Sequence, residues 1–131
     1  MARASTWVRS DATLFPVARS GLRVLLVDPD DARREKLRSW LADRHEVHFA
    51  QGPEDAIEVA REIFPSVLII DASVPNATCL IDQVLEKLSI FEIGVMLMMD
   101  PTVTIPTAWQ DYVVIRRPFT RKQLRHCLDV A

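Results

Sequence analysis

Three short runs of consecutive apolar residues recur along this chain, and an acidic residue follows each of them. The runs span residues 24–27, 67–70 and 95–99, and the acids that follow them are Asp28, Asp71 and Asp100. Apolarity on both faces is typical of a strand that is buried in a parallel sheet. Because such strands need cover on both faces, this pattern is the strongest constraint on the fold.

The segments between these runs have the 3.6-residue spacing of amphipathic helices. Asp30 or Asp31 is placed to cap the first helix, and Pro53 stands at the first position of the second. Thr120 and Gln123 are spaced as a capping box at the start of the last helix. Alternating strands and helices predict an α/β fold with a parallel sheet and helices on both of its faces. We expect helices at residues 31–44, 53–64, 80–88 and 120–128, with further short strands at 47–49 and 112–115.

The composition is that of one globular domain. The 131 residues are 49% hydrophobic, which excludes a disordered chain. Two cysteines with no C-x-x-C pair favour a reducing, cytoplasmic location over a disulfide scaffold or a thiolate zinc site. A net charge of -2 predicts no nucleic-acid binding by this domain itself. The longest apolar stretch, residues 93–99, is far shorter than the ~20 residues of a membrane span, so we expect no membrane association.

The first twenty residues differ from the rest of the chain. Residues 1–20 have no sustained period of 2 or 3.6, so we predict a flexible N-terminal tail. The alternative is a segment that orders on a partner, with Trp7 and Phe15 as anchors. The regular pattern begins at Gly21, and residues 21–131 are therefore predicted to form the domain.

Short motifs at the ends of the predicted strands resemble those of a known family. Residues 25–28 are Leu-Leu-Val-Asp, residues 68–71 are Leu-Ile-Ile-Asp with Pro75 four positions further on, and residues 116–119 are Arg-Arg-Pro-Phe. In this order they resemble the receiver domain of two-component response regulators, over residues 21–131. The resemblance implies a flavodoxin-like, doubly wound sheet of five parallel strands in the order 2-1-3-4-5.

The resemblance also implies roles for particular residues. Asp71 matches the aspartate that takes a phosphoryl group from a histidine kinase, and Arg117 matches the lysine that pairs with that group. Asp28, with Asp30 as a second candidate, matches the acids that help to hold Mg²⁺. Clustered carboxylates repel one another unless a cation lies among them, and that cation also offsets charge on the transferred group.

Several positions depart from the family pattern and favour a degenerate, pseudo-receiver form. Pro29 stands where a second acid is usual, so we expect Mg²⁺ binding to be weak or absent. Met99 stands where a hydroxyl usually bonds the phosphoryl group, and a thioether has no proton to donate. Arg117 keeps the charge of the usual lysine but changes its reach and geometry.

The stretch between the last two predicted strands is the largest departure. Only twelve residues, 100–111, separate Met99 from Tyr112, and they include Pro101 and Pro106. Because proline opposes a helix interior, we predict that the fourth helix of a receiver is missing or reduced to a turn. Apolar side chains of this stretch then either cover the sheet or form a contact surface for a partner or a second copy of the chain. They are Val103, Ile105, Trp109 and Tyr112.

Five cationic residues also cluster around the start of the last helix. The favoured interpretation is a solvated helix face, and the alternative is a site for an acidic partner or nucleic acid. The residues are Arg116, Arg117, Arg121, Lys122 and Arg125.

Three functional hypotheses follow from these observations. The leading one is a signal-transduction module that acts through protein–protein contact and is not an enzyme, with phosphorylation weak or lost. The alternative is a functional receiver that a histidine kinase phosphorylates on Asp71. A third, a small flavodoxin-like enzyme or nucleotide binder, is disfavoured because the chain has three glycines and no glycine-rich phosphate loop.

Overall fold

The described part of the chain alternates strands and helices around one parallel sheet. The structure is a computed structural model that describes residues 21–88 and 92–130, so the tail predicted at residues 1–20 lies outside it. The strands are β1 Arg23–Val27, β2 Glu46–Ala50, β3 Val67–Asp71, β4 Gly94–Met99 and β5 Val113–Arg116. The helices are α1 Asp31–Leu41, α2 Pro53–Ile63, α3 Ala77–Lys87 and α4 Arg121–Val130, and Thr107–Trp109 forms a single 3-10 turn. None of the described helices is long and apolar enough to cross a membrane.

The five strands lie side by side in the order β2-β1-β3-β4-β5, and every neighbouring pair is parallel. This confirms the predicted α/β class, the doubly wound topology and the strand order. It also places β1 and β3 next to each other, with their carboxyl ends at the same edge of the sheet.

The central strands are apolar on both faces because helices cover both. Leu25 belongs to a buried cluster with residues of α2 and α3, whereas its neighbour Leu26 belongs to one with residues of α1 and α4. The methionines of β4 divide in the same way, and Met96, Met98 and Met99 are all fully buried core residues. The apolar runs of the sequence are therefore continuous because both faces of these strands are buried under helices, as predicted.

Local signals fix where several helices begin. Asp30 caps α1, because its side chain accepts a hydrogen bond from the backbone N–H of Arg33. Pro53 is the first residue of α2. At the start of α4, Thr120 and Gln123 exchange side-chain-to-backbone hydrogen bonds of 2.8 and 3.1 Å, which is the predicted capping box.

Helix α1 is shorter than predicted. The periodic pattern indicated a helix through Arg44, but α1 ends at Leu41. The chain turns there because two bonds tie it to the residue before β1. The N–H of Leu22 donates to His45 Nδ1 at 3.0 Å, and the N–H of Glu46 donates to the Leu22 carbonyl at 3.0 Å. Pairing of β2 with β1 thus overrides the helical propensity of residues 42–44.

The connection between β4 and β5 contains no helix longer than the 3-10 turn, as the prolines predicted. It folds back onto the sheet. Trp109 is buried against the cluster on the α2 and α3 side, and its Nε1–H donates to Thr78 Oγ1 at 2.9 Å. Ile105 and Tyr112 are half-buried and pack against the same cluster, whereas Val103 is 40% exposed. The sheet is therefore covered by Trp109, Ile105 and Tyr112, whereas Val103 lies on the surface.

A single arginine holds the first half of this connection. Arg116 Nη1 donates to the carbonyl oxygens of Asp100, Pro101 and Val103, at 3.1, 3.2 and 2.7 Å. The Asp100 carbonyl also accepts a turn hydrogen bond from the backbone N–H of Val103 at 3.2 Å. The guanidinium thus adds donors for backbone carbonyls in a segment that forms no α-helix.

Replacement of Trp109 tests whether this side chain closes the core. Trp109→Ala is expected to lower the free energy of unfolding by about 3–5 kcal/mol, because a large buried side chain is removed. Trp109→Phe keeps most of the apolar area and is expected to lose about 1 kcal/mol with the bond to Thr78. The matched control is Val103→Ala in the same connection, with an expected change within about 0.5 kcal/mol. Urea unfolding measures all three. An unchanged stability of Trp109→Ala together with loss of self-association would contradict the packing role.

Candidate functional site

Two carboxylates lie inside the carboxyl edge of the sheet. Asp28 directly follows β1, Asp71 is the last residue of β3, and both residues are fully buried. One guanidinium nitrogen, Arg33 Nη2, lies 2.9 Å from Asp28 Oδ1 and 3.6 Å from Asp71 Oδ2. The two carboxylates are therefore neighbours, as the strand order predicts, and they face a common space.

Arg33 is a residue of this site that its sequence position did not indicate. Its Nε and Nη2 donate to the two oxygens of Asp28, both at 2.9 Å, in a bidentate fork. The hydrogen bond to Asp28 raises the pKa of the Arg33 guanidinium above its ordinary value, so the side chain stays charged. Arg33 is the third residue of α1, and helical side chains point back toward the helix N-terminus. Because α1 begins just after Asp28, that direction leads to the strand ends.

The carboxylate of Asp71 accepts hydrogen bonds from a neighbouring serine, Ser73. The backbone N–H of Ser73 donates to Asp71 Oδ2 at 3.0 Å, and the Ser73 hydroxyl donates to the same oxygen. Burial raises the pKa of the Asp71 carboxyl, but the two bonds from Ser73 and the charge of Arg117 outweigh it and lower the pKa below the ordinary value. The carboxylate is therefore ionised at neutral pH.

Arg117 lies where the resemblance placed it. Its Nη2 is 2.6 Å from Asp71 Oδ1, its Nε donates to Asp100 Oδ1 at 3.0 Å, and the Arg117–Pro118 peptide bond is cis. Asp71 Oδ1 and Arg117 Nη1 are buried and have no hydrogen-bond partner among the described residues. The contact is thus a close ion pair and lacks the bidentate geometry that Arg33 makes with Asp28.

The residues expected to hold Mg²⁺ do not fit an ion in this arrangement. Both oxygens of Asp28 accept hydrogen bonds from Arg33, and Pro29 offers no oxygen from its side chain. Asp30 is half-exposed and uses its side chain to cap α1. Within residues 21–88 and 92–130, no three side chains of His, Cys, Asp or Glu gather as a metal site would require. Met99 packs in the core and brings no polar atom to the acids.

The cationic cluster near α4 is engaged within the molecule. Arg121 and Arg125 both form ion pairs with Asp43, each at 2.9 Å. Arg116 binds backbone carbonyls and Arg117 contacts Asp71, as described above. Four of the five cations thus have partners within the molecule.

Solved structures with the same arrangement of strands and helices identify the fold. NtrX from Brucella abortus, solved in complex with ATP, aligns with a TM-score of 0.74 at 20% identity over 85% of this chain. The Vibrio cholerae chemotaxis protein CheY4 aligns with a TM-score of 0.72 at 22% identity over 84% of this chain and 98% of its own. The signal receiver domain of an HD domain-containing protein from Pseudomonas fluorescens gives 0.73 at 18% identity, over 85% and 94% of the two chains. This chain has the receiver fold.

The likeness is one of structure. The chain spans 26% of the length of NtrX and nearly the whole length of CheY4 and of the Pseudomonas fluorescens receiver domain. No protein-family model and no curated protein matches the sequence. The receiver fold explains why Asp28, Asp71 and Arg117 meet at one edge, whereas Arg33 and Ser73 add contacts that the family motifs do not imply.

Removal of the Ser73 hydroxyl tests the charge state of Asp71. Since the pKa of Asp71 is lower in the folded state, its contribution to stability is present above the unfolded pKa of about 3.9 and is lost as the pH falls through the folded value. Ser73→Ala raises the folded pKa. We therefore expect a loss of about 1–2 kcal/mol at neutral pH and a weaker dependence of stability on pH in the acid range.

The control for this experiment is Ser39→Ala. Ser39 is exposed on α1, and its hydroxyl donates to the backbone carbonyl of Lys36 and not to a carboxylate. Urea unfolding at several pH values between about 3 and 7 gives both quantities. Parallel pH profiles for wild type and Ser73→Ala would show that the serine does not stabilise the charged form of Asp71.

Proposed function

We propose that this protein is a cytoplasmic, degenerate receiver module that signals by binding a partner protein, with phosphorylation of Asp71 weak or lost. One observation carries the proposal: two arginines, Arg33 and Arg117, already contact the buried acids where receiver chemistry would use a metal ion and a phosphoryl group. In such a pocket the charges of the two buried carboxylates are balanced without either ligand. The module is proposed as a signalling protein and not as an enzyme.

The groups around Asp71 argue against efficient phosphoryl transfer. Attack on phosphorus needs a free carboxylate oxygen, but Asp71 Oδ2 accepts two hydrogen bonds from Ser73 and Oδ1 contacts Arg117. Positioning and charge stabilisation supply most of the catalysis in phosphoryl transfer. Met99 removes a hydroxyl from that machinery, and Pro29 removes a metal ligand.

The connection between β4 and β5 is the proposed contact segment. Residues 101–104 and 106–108 are exposed, and they include the side chain of Val103. Trp109 anchors one end in the core, and Arg116 binds carbonyls at the other. A segment that is ordered before binding loses less conformational entropy when a partner docks. The partner is proposed to be another signalling protein or a second copy of the chain.

A second candidate function is a receiver that a histidine kinase phosphorylates on Asp71. The position of Asp71 at the end of β3 and the Arg117 contact with its Oδ1 favour it. In that case a phosphoryl group would displace the ion pair and the Ser73 bonds, and the two arginines would offset its charge.

Treatment with a small phosphodonor separates the two candidates. Wild-type protein is incubated with acetyl phosphate or phosphoramidate and Mg²⁺, and intact-mass spectrometry measures the phosphorylated fraction. We expect a fraction no larger than that of the Asp71→Asn variant, because both oxygens of Asp71 are engaged. Asp100→Asn, an exposed acid near the same edge, is the matched control. Near-complete phosphorylation that Asp71→Asn abolishes would establish the second candidate.

Partner binding is tested in cells with Asp71→Asn and a variant of the exposed contact segment. Tagged wild type, Asp71→Asn and Val103→Asp are compared by quantitative affinity purification from the native host. The expected result is a partner recovered equally with wild type and Asp71→Asn and lost with Val103→Asp. A partner that requires Asp71 and tolerates Val103→Asp would contradict the proposal.

A further inference from the structure

Arg33 contacts three acids near the start of α1 and the end of β3. Its Nε and Nη2 bond both oxygens of Asp28, Nη2 lies 3.6 Å from Asp71 Oδ2, and Nη1 lies 3.7 Å from Asp30 Oδ2. We propose that the Arg33 guanidinium is the resident cation of this acidic pocket and competes with divalent metal ions for the same carboxylates. The proposal concerns the cation alone and stands whether or not a partner binds the β4–β5 connection.

Burial makes a cation necessary at this position. Asp28 and Asp71 are both fully buried, and a buried carboxylate with no positive partner would be neutralised by a proton. Two buried carboxylates face two guanidinium groups, those of Arg33 and Arg117, which makes the interior of the pocket neutral.

The local sequence explains why arginine takes this place. The side chain of Pro29 has no oxygen, and the carboxylate of Asp30 accepts the backbone N–H of Arg33 itself. Asp28 is left as the acid that faces Asp71. Its Oδ1 accepts the backbone N–H of Asp30 at 2.9 Å, and both of its oxygens accept the planar fork of Arg33. Arg33 meets that geometry because two of its donors are parallel and rigidly spaced.

Arginine and a metal ion exclude each other here. Mg²⁺ takes oxygen ligands at about 2.0–2.1 Å in near-octahedral geometry, and the guanidinium occupies the oxygens of Asp28. Without the guanidinium, both oxygens of Asp28 and the Oδ2 of Asp71, which lies 3.6 Å from Arg33 Nη2, would face the vacated space. Loss of the Arg33 charge is therefore expected to expose a divalent-cation site on Asp28 and Asp71.

Thermal unfolding of four proteins tests this competition. Wild type, Arg33→Gln, Arg33→Gln with Asp28→Asn, and Arg38→Gln are unfolded in EDTA and in about 10 mM MgCl₂ or MnCl₂, with NaCl at equal ionic strength as the salt control. Arg38→Gln removes the same charge from the same helix, at an exposed pair with Glu35. We expect the Tm of Arg33→Gln to rise by about 5 °C with the divalent ion, and that of the other three by less than about 1 °C.

The outcomes decide the proposal in either direction. An equal rise in Tm for wild type and Arg33→Gln would show that the metal ion and Arg33 bind without competition, and would overturn it. The absence of any rise in Arg33→Gln would overturn it as well. If Arg33→Gln is unfolded in EDTA, recovery of the native circular dichroism spectrum on addition of Mg²⁺ supports the proposal, and failure to recover at any concentration contradicts it. None of these results depends on partner binding, which the Val103→Asp variant tests separately.

Discussion

The burial of two carboxylates at one edge of the sheet is the constraint on which the rest of the site depends. Parallel β1 and β3 bring Asp28 and Asp71 together with no exposure to water. Ionised groups in such a place need positive partners, since unpaired burial of a charge is costly. Arg33 comes from α1 and Arg117 from the chain after β5, so the charge balance joins segments that are distant in the sequence. Fold and site are thus coupled through the same ion pairs.

In the connection between β4 and β5, two side chains perform the tasks that a helix would otherwise perform. A helix would have satisfied its own backbone and covered the sheet, but Pro101 and Pro106 oppose it. The structure divides these two tasks between Arg116, which binds three carbonyl oxygens, and Trp109, which fills the core and bonds Thr78. The result is an ordered segment with an exposed outer side, in the region where receivers place a helix.

Much of the fold could be predicted from local sequence. The apolar runs indicated the buried strands, and single residues indicated helix starts, as with Asp30, Pro53 and the Thr120 capping box. The end of α1 at Leu41 could not be predicted in this way, because it depends on the bond between Leu22 and His45 across neighbouring strands. Asp71, Asp28 and Arg117 were indicated by motif position, and the structure brings all three to one edge.

The sequence by itself determined the strands, the helices and the placement of acids at strand ends, because these follow from periodicity and from caps within a few residues. Only the tertiary structure decided which partners the long side chains take. Arg33 lies in the first turn of α1, near Asp28, whereas Arg38 lies in the last turn and pairs with Glu35 at the surface. That Arg33 also reaches Asp71 depends on the packing of β3 beside β1. Trp109 likewise turns inward only because Thr78 and the uncovered sheet face lie opposite it. Ion pairs and core contacts are set by the packing of distant segments, and that packing exists only in the folded chain.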